Sequence, residues 1–306
     1  MASGGRLRIA LVAVADILGY TDAVSRTSTL AQSEIALAHF TNVTNDALAA
    51  LGRGKPDAGD GSDKIQWHVK TYTDNYLLHT RLREHGEGDL GAALGALGDF
   101  QCSMVRNNHL CRGGISLGPT YIDERMIFGR AVVEAYYLEH EIATSPRIVL
   151  SNGVARLMAR HFSSYGGRPY TSTDYHVLED ADGQWFINYL RNSLIVDEGE
   201  HGWMCDNELL TAHRALVANG LERFRSNDRV YPKYRWAAMY HNWFVRVHGL
   251  DQWEPTLPIV IEDAYRPREC SAVTDDRIAT LMASYRRRIR GNDQDFDDVV
   301  RIAARL

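Results

Sequence analysis

The period of the apolar positions changes several times along the chain, and each change marks an element. Arg8 to Ala15 (RIALVAVA) is an almost unbroken apolar, β-rich run, which predicts a buried strand. Gly19, Thr21 and Asp22 follow as a turn and a helix start, and apolar positions then recur at helical spacing from Ala23 to Leu51. Gly52 to Lys64 (GRGKPDAGDGSDK) breaks every period and reads as a mobile loop, not a domain boundary. Ile65 to Tyr72 and Tyr76 to Leu82 are strand-like around the turn formers Thr73, Asp74 and Asn75. They predict a hairpin with Asp74 at its tip.

Leu90 to Val105 predicts a helix, Gly113 to Ile122 a strand, Ala131 to Ile142 a helix, Arg147 to Leu150 a short strand and Val154 to Phe162 a further helix. The weak strands Tyr175 to Leu178 and Trp185 to Tyr189 end this alternating portion near Arg191. Beyond it the spacing is helical over Asn207 to Phe224, Tyr234 to Val247, Asp275 to Ile289 and Phe296 to Ala304, and the Pro-containing stretch Trp253 to Pro267 divides these helices into pairs. The expectation is an α/β (α+β) unit over 1–195 and an α-helical C-terminal extension over 196–306, with Trp236, Trp243, Trp253, Tyr234 and Tyr240 in the extension's core.

Composition narrows the function classes. With 306 residues, 45% of them hydrophobic and 24% charged, the chain can bury one sizeable core or two modest ones, which excludes a disordered or collagen-like protein. The 34 Lys and Arg against 39 Asp and Glu give a net charge of -5, so no general nucleic-acid binding is expected. The apolar run Ile9 to Ala15 is stopped by Asp16 well short of a membrane span or a signal sequence, and a soluble cytoplasmic protein is expected, without a membrane partner. Cys102, Cys111, Cys205 and Cys270 are too scattered for a disulfide framework and read as reduced thiols. His201 and Cys205, with His241 and Cys270, lack a CxxC or HxxxH anchor for zinc. Arg286, Arg287, Arg288 and Arg290 beside Tyr285 read as a solvated helix face.

Candidate chemistry begins at Asp16, which closes a buried strand just before a turn that leads into a helix. Such a turn can hold a phosphate. Asp74 at the hairpin tip is a second carboxylate, and paired oxygen ligands suit Mg²⁺ or Mn²⁺. On spacing alone Asp16 also reads as a helix cap and Asp74 as a turn residue, and Arg112 as a strand-opening arginine paired with a surface carboxylate.

Several ordered motifs between Arg8 and Ser151 resemble the class III nucleotidyl cyclase catalytic domain. VADILGYTD (Val14 to Asp22) resembles the first metal motif and KTYTDNYLL (Lys70 to Leu78) the second. RGGISLG (Arg112 to Gly118) resembles the phosphate-binding strand, and IFGRAVVEAYYLE (Ile127 to Glu139) the catalytic helix. The resemblance implies a ferredoxin-like mixed or antiparallel sheet with flanking helices. It further implies two divalent cations, Mn²⁺ or Mg²⁺, held by Asp16, the carbonyl of Ile17 and Asp74. Tyr20 and Thr21 would offer main-chain donors to phosphate, and Arg112 would contact the triphosphate. Attack of a ribose 3′-hydroxyl on its own α-phosphorus needs a deprotonated hydroxyl and a neutralised pyrophosphate. Two cations and a guanidinium serve those needs.

The departures from the family set the expected substrate. The usual transition-state Asn and Arg are replaced by Val133 and Tyr137, and the purine-reading pair becomes Lys70 and Met126. Met126 offers no acceptor to the adenine 6-amino group, which predicts a poor fit for ATP. This combination is similar to the pyrimidine cyclases of bacterial Pycsar anti-phage systems. Lys70 can only donate, and uracil presents acceptors at O4 and O2, which favours UTP and cyclic UMP over CTP and cyclic CMP. A non-catalytic nucleotide sensor is the reading from another class. Tyr137 is the candidate for a hydroxyl contact to ring or ribose, and Arg130 for the missing cation, against core packing and a solvated helix face respectively. The resemblance also implies a homodimer with shared active sites, in which Lys70, Met126, Val133 and Tyr137 of one protomer face Asp16, Asp74 and Arg112 of its partner. A separate effector would respond to the cyclic nucleotide.

Overall fold

A computed structural model describes residues 6–52, 65–82, 86–164, 176–197, 202–261, 270–274, 276–280 and 283. Its strands are β1 (Arg8–Ile17), β2 (His68–Tyr72), β3 (Asn75–Arg81), β4 (Cys111–Ile122), β5 (Ile127–Gly129), β6 (Ile148–Leu150), β7 (Val177–Glu179), β8 (Trp185–Ile187), β9 (Leu194–Asp197), β10 (Gly202–Cys205) and β11 (Ser271–Ala272). The main sheet runs β11-β7-β8-β6-β4-β1-β3-β2, with β5 beside β4, while β9 and β10 form a separate hairpin. Only β4 and β6 pair in parallel among the described strands. The helices are α1 (Tyr20–Ser25), α2 (Leu30–Leu51), α3 (Gly86–Arg106), α4 (Arg130–Tyr137), α5 (Asn152–Ser164), α6 (Asn207–Arg223) and α7 (Tyr231–Val247). This is the expected α/β (α+β) architecture, a mixed, mainly antiparallel sheet with flanking helices.

β1 is buried along most of its length because both faces of the sheet are covered. Leu11, Ala13 and Ala15 pack beneath Val43 of α2, Leu94, Leu97 and Phe100 of α3, and Met158 of α5. The alternate residues Val12 and Val14, with Leu77 of β3, meet Ala131 and Ala135 of α4 on the other side. Gly114 of β4 permits this close approach: a Cβ there would lie 2.3 Å from the Leu138 Cβ and 2.6 Å from the Ala135 carbonyl oxygen.

The helical extension covers the remaining part of that second face. Val149, Leu178 and Phe186 share one core with Leu209, Leu210 and Val217 of α6 and with Ala237, Tyr240 and Phe244 of α7. Two buried histidines and a buried arginine in this layer find partners. His241 Nε2 lies 3.0 Å from the Leu257 carbonyl oxygen, the two Nδ1 atoms of His213 and His241 are 3.0 Å apart, and the Tyr189 hydroxyl is 2.7 Å from His213 Nε2. A neutral pair satisfies all three contacts: His241 donates from Nε2, His213 from Nδ1, and Tyr189 from its hydroxyl. Arg147, 1% exposed, is ion-paired with Asp180 and Asp182, and the Trp236 indole donates to Asp180 at 2.7 Å.

Several sequence expectations are corrected. The strand expected from Ile65 begins at His68, and the helix expected through Ile142 becomes a π turn over Leu138–Ile142. The β9–β10 hairpin and β11 follow Arg191, where only helices were expected. Trp253 is 87% exposed and is no core residue, whereas Tyr240 and Trp243 are buried and Trp236 and Tyr234 pack against them. Residues 53–64, His201, the Tyr285–Arg290 cluster and 296–304 lie outside the described residues, as does most of the helix expected from Asp275 to Ile289. Among the described residues no helix is long and apolar enough to cross a membrane, and all four cysteines are free.

Candidate active site

The central strand delivers the first carboxylate. Asp16, one residue from the end of β1, stands opposite Asn75 of β3 and Arg112 of β4. Residues opposite one another in adjacent strands project to the same face, and the Arg112 Nε accordingly donates to Asp16 Oδ2 at 3.1 Å. The second carboxylate arrives with the β2–β3 hairpin, whose two-residue turn is Thr73 and Asp74. Thr73 holds φ 55, a left-handed conformation seldom adopted by a β-branched residue. The Ile17 N–H donates to the Asp74 carbonyl at 3.1 Å and draws the hairpin tip onto the end of β1.

The two carboxyl groups come within hydrogen-bonding reach of each other. Burial, and then Asp74, push the Asp16 carboxyl up to about 6, against the lowering effect of Arg112.

Sequence reasoning missed two further charged groups. Glu139, 4% exposed in the π turn, meets Arg112 Nη2 at 2.8 Å through Oε1. Its carboxyl is raised by burial, an effect that Arg112 opposes and Asp74 reinforces. A signal for it was present, because Ala131, Ala135 and Glu139 recur every fourth residue and place the carboxylate on the buried stripe of the helix. Lys233, in the first turn of α7, is half-buried and within electrostatic reach of Asp16, Glu139 and Arg112. It lies far along the chain in the extension, and no sequence pattern pointed to it. Arg112 also approaches the Ala143 carbonyl at 3.5 Å, so its guanidinium is fixed between β1 and the π turn.

Tyr20 and Thr21 open α1 directly after Gly19, whose φ of 91 suits a glycine, and no side chain caps that helix start. The Tyr20 ring packs on Phe40, with centroids 4.7 Å apart.

The residues expected to read the base form a second group. Lys70 Nζ donates to the Glu124 carbonyl at 3.2 Å, and Asp123 Oδ1 accepts the N–H groups of Arg125 at 2.8 Å and Met126 at 2.7 Å. Lys70 and Met126 therefore belong to one neighbourhood. Lys70 aligns with Leu77 and hence with Val14, on the same face as Asp16 and about 12 Å from it by strand spacing. Met126, Val133 and Tyr137 are 52%, 71% and 56% exposed, so Tyr137 is not a core residue. Arg130 is exposed too. Among the described residues no hydrogen bond joins Tyr137 or Met126 to Asp16, Asp74 or Arg112. One chain thus presents two separate groups on one face.

The donor set fits divalent cations. Two converging carboxyls next to the Ile17 main chain are hard oxygen ligands. Asp16, Asp74 and Glu139 against Arg112 and Lys233 leave one net negative charge, and the mutual effect of Asp16 and Asp74 is what a cation between them relieves. Among the described residues no three or more His, Cys, Asp or Glu converge as a complete metal cage. The arrangement is open, which suits ions that share their coordination with substrate and water.

No protein-family model and no curated protein matches the chain. Among solved structures the chain is similar to the crystal structure of the guanylyl cyclase Cya2, at 15% identity and a TM-score of 0.35, over 49% of this chain and 78% of that one.

Proposed function

We propose that the protein is a nucleotidyl cyclase that converts UTP to 3′,5′-cyclic UMP and diphosphate. One observation carries the reading: the carboxyls of Asp16 and Asp74 meet beside Arg112 at the end of the central strand. The order of motifs that the sequence shares with class III cyclases supports it. In the reaction the 3′-oxygen forms a bond to the α-phosphorus, the bond from that phosphorus to the β-phosphate oxygen breaks, and the hydroxyl proton passes to solvent. Divalent cations held by Asp16, Asp74 and the Ile17 carbonyl would favour ionisation of the 3′-hydroxyl and neutralise the leaving group. Arg112 presents a fork of donors to the phosphates, and the main-chain N–H groups of Tyr20 and Thr21 add further donors at the turn.

Base choice follows from the second group. Lys70 donates to uracil O4 or O2, and Met126 leaves an adenine amine without an acceptor. The separation of the two groups on one face is consistent with a homodimer in which Lys70, Met126 and Tyr137 of one protomer complete the site formed by Asp16, Asp74 and Arg112 of its partner. The product would act as a second messenger for a separate effector, as in the anti-phage systems that the departures resemble.

Initial rates of pyrophosphate release with UTP, CTP, ATP and GTP, in Mn²⁺ and in Mg²⁺, test the proposal. UTP should be the best substrate. A preference for CTP would transfer the assignment to cyclic CMP, and a preference for ATP would overturn the pyrimidine reading. Binding of UTP and CTP without pyrophosphate release would establish a sensor in place of an enzyme.

A further inference from the structure

We propose that a cavity between α6 and the segment that follows α7 binds a small organic carboxylate with an apolar tail, held through Arg214. The cavity shares no residue with the candidate active site, and the inference does not rest on the cyclase reading. α6 builds one wall. Arg214, Ala218, Leu221 and Arg225 recur at steps of four, three and four residues, so they share one stripe of the helix. The opposite wall is an irregular segment pinned onto α7. Asn242 Nδ2 donates to the Ile259 carbonyl at 2.8 Å, the Ile259 N–H donates back to Asn242 Oδ1 at 2.7 Å, and His241 Nε2 lies 3.0 Å from the Leu257 carbonyl oxygen. Ile259, Ile261 and Tyr231 complete the lining, and the enclosed volume of about 380 Å³ is that of a small-molecule site.

The cation of this lining is unmatched. The Arg214 Nε is buried without a hydrogen-bond partner, and among the described residues no carboxylate pairs with the guanidinium. Arg147 and Arg277 also bury an Nε, yet each is ion-paired, the first with Asp180 and Asp182 and the second with Glu179. At the far end of the stripe Arg225 and Glu222 offset one another in charge, which leaves the lining one net positive charge. A single guanidinium at one end of apolar walls matches a monoanion with a hydrophobic body. A carboxylate meets the guanidinium fork with two parallel hydrogen bonds, and its tail covers Leu221, Ile259 and Ile261. A doubly charged phosphate monoester would leave one charge without a partner.

Calorimetric titration of the full chain with octanoate tests the proposal. Octanoate should saturate one site, each methylene added from butanoate to octanoate should tighten Kd about three- to fourfold, and the neutral analogue octanol should bind about 10-fold more weakly or worse. Arg214→Gln should raise the octanoate Kd about 10- to 100-fold, and Arg214→Lys should restore part of the loss. Ala218→Leu fills the cavity and should abolish binding, with thermal unfolding to show that the variant is folded. Absence of binding by the wild type, or equal Kd values for octanoate and octanol, overturns the proposal without recourse to any variant. An unchanged octanoate Kd in folded Arg214→Gln overturns it as well. Tighter binding of octyl phosphate than of octanoate overturns the carboxylate assignment.

Discussion

Asp16→Asn should stabilise the metal-free protein while abolishing its response to metal. The Asp16 side chain is 16% exposed, lies against the Asp74 carboxyl and is only partly compensated by Arg112 at 3.1 Å. Its carboxyl is raised from 3.8 to about 6, so between these values the folded state holds a proton that the unfolded state has released. The contribution of this group to stability is present below pH 3.8 and is lost as pH rises through about 6, so at neutral pH the ionised carboxylate costs the fold its full share. A shift of about two units corresponds to about 3 kcal/mol, and solvent screening at the open mouth reduces this to about 1–2 kcal/mol. Asn is nearly isosteric and removes that cost, which for a chain of this size raises Tm by about 1.5–3 °C. Thermal unfolding in EDTA near neutral pH measures this directly. Repeating it with Mn²⁺ should raise the wild-type Tm, because a ligand that binds only the folded state stabilises it, and leave the variant unmoved. A variant no more stable than the wild type in EDTA, or one with an undiminished Mn²⁺ shift, refutes the reasoning.

Acid should act in the opposite direction through the histidines. His79, His109 and His241 are lowered to about 4 by burial, and His176 and His213 also titrate below the ordinary value of 6.5. Their contribution is complete above pH 6.5 and falls as pH drops toward about 4. Each such group costs about 2 kcal/mol at about pH 5, so the urea midpoint should fall steeply there, and His241→Gln should remove one such step; an unchanged slope counts against a neutral buried pair. Gly114→Ala places a methyl 2.3 Å from the Leu138 Cβ. It should cost about 2–3 kcal/mol by displacing the π turn, which a urea titration reads, and a loss under about 0.5 kcal/mol would show that the turn does not depend on this contact.

The sequence was most readable where a local pattern sufficed. β1 is recognisable because a strand covered on both faces must be continuously apolar, and the Thr73–Asp74 turn because hairpin residues are chemically marked. Together these place Asp16 and Asp74 at strand and hairpin ends, while their meeting depends on β1 pairing with β3, a non-local choice. β9, β10 and β11, at four, four and two residues, are too short to show a period. Trp253 illustrates another limit, since an aromatic residue in a Pro-containing loop carries no mark of whether it turns inward. The docking of the extension left a faint trace: Ile148, Val149 and Leu150 in β6 and Trp185, Phe186 and Ile187 in β8 are apolar at consecutive positions. Such strands require cover on two sides, and α6 and α7 provide the second.

The cover on that second face explains why charge gathers where it does. α4 seals Val12, Val14 and Leu77, while α6 and α7 seal Val149, Leu178 and Phe186. Arg112, Asp16 and Glu139 occupy the seam between these two helical covers, at the end of the central strand, within electrostatic reach of Lys233 in α7. An apolar seam would make the fold more stable, because desolvated charges rarely recover their hydration cost even when paired. Asp16 shows this loss most plainly, since its carboxyl is raised although a guanidinium is in contact with it. Charges placed at such a cost between two otherwise apolar layers are what the proposed function requires, because divalent cations there would bring the missing positive charge to the carboxylates.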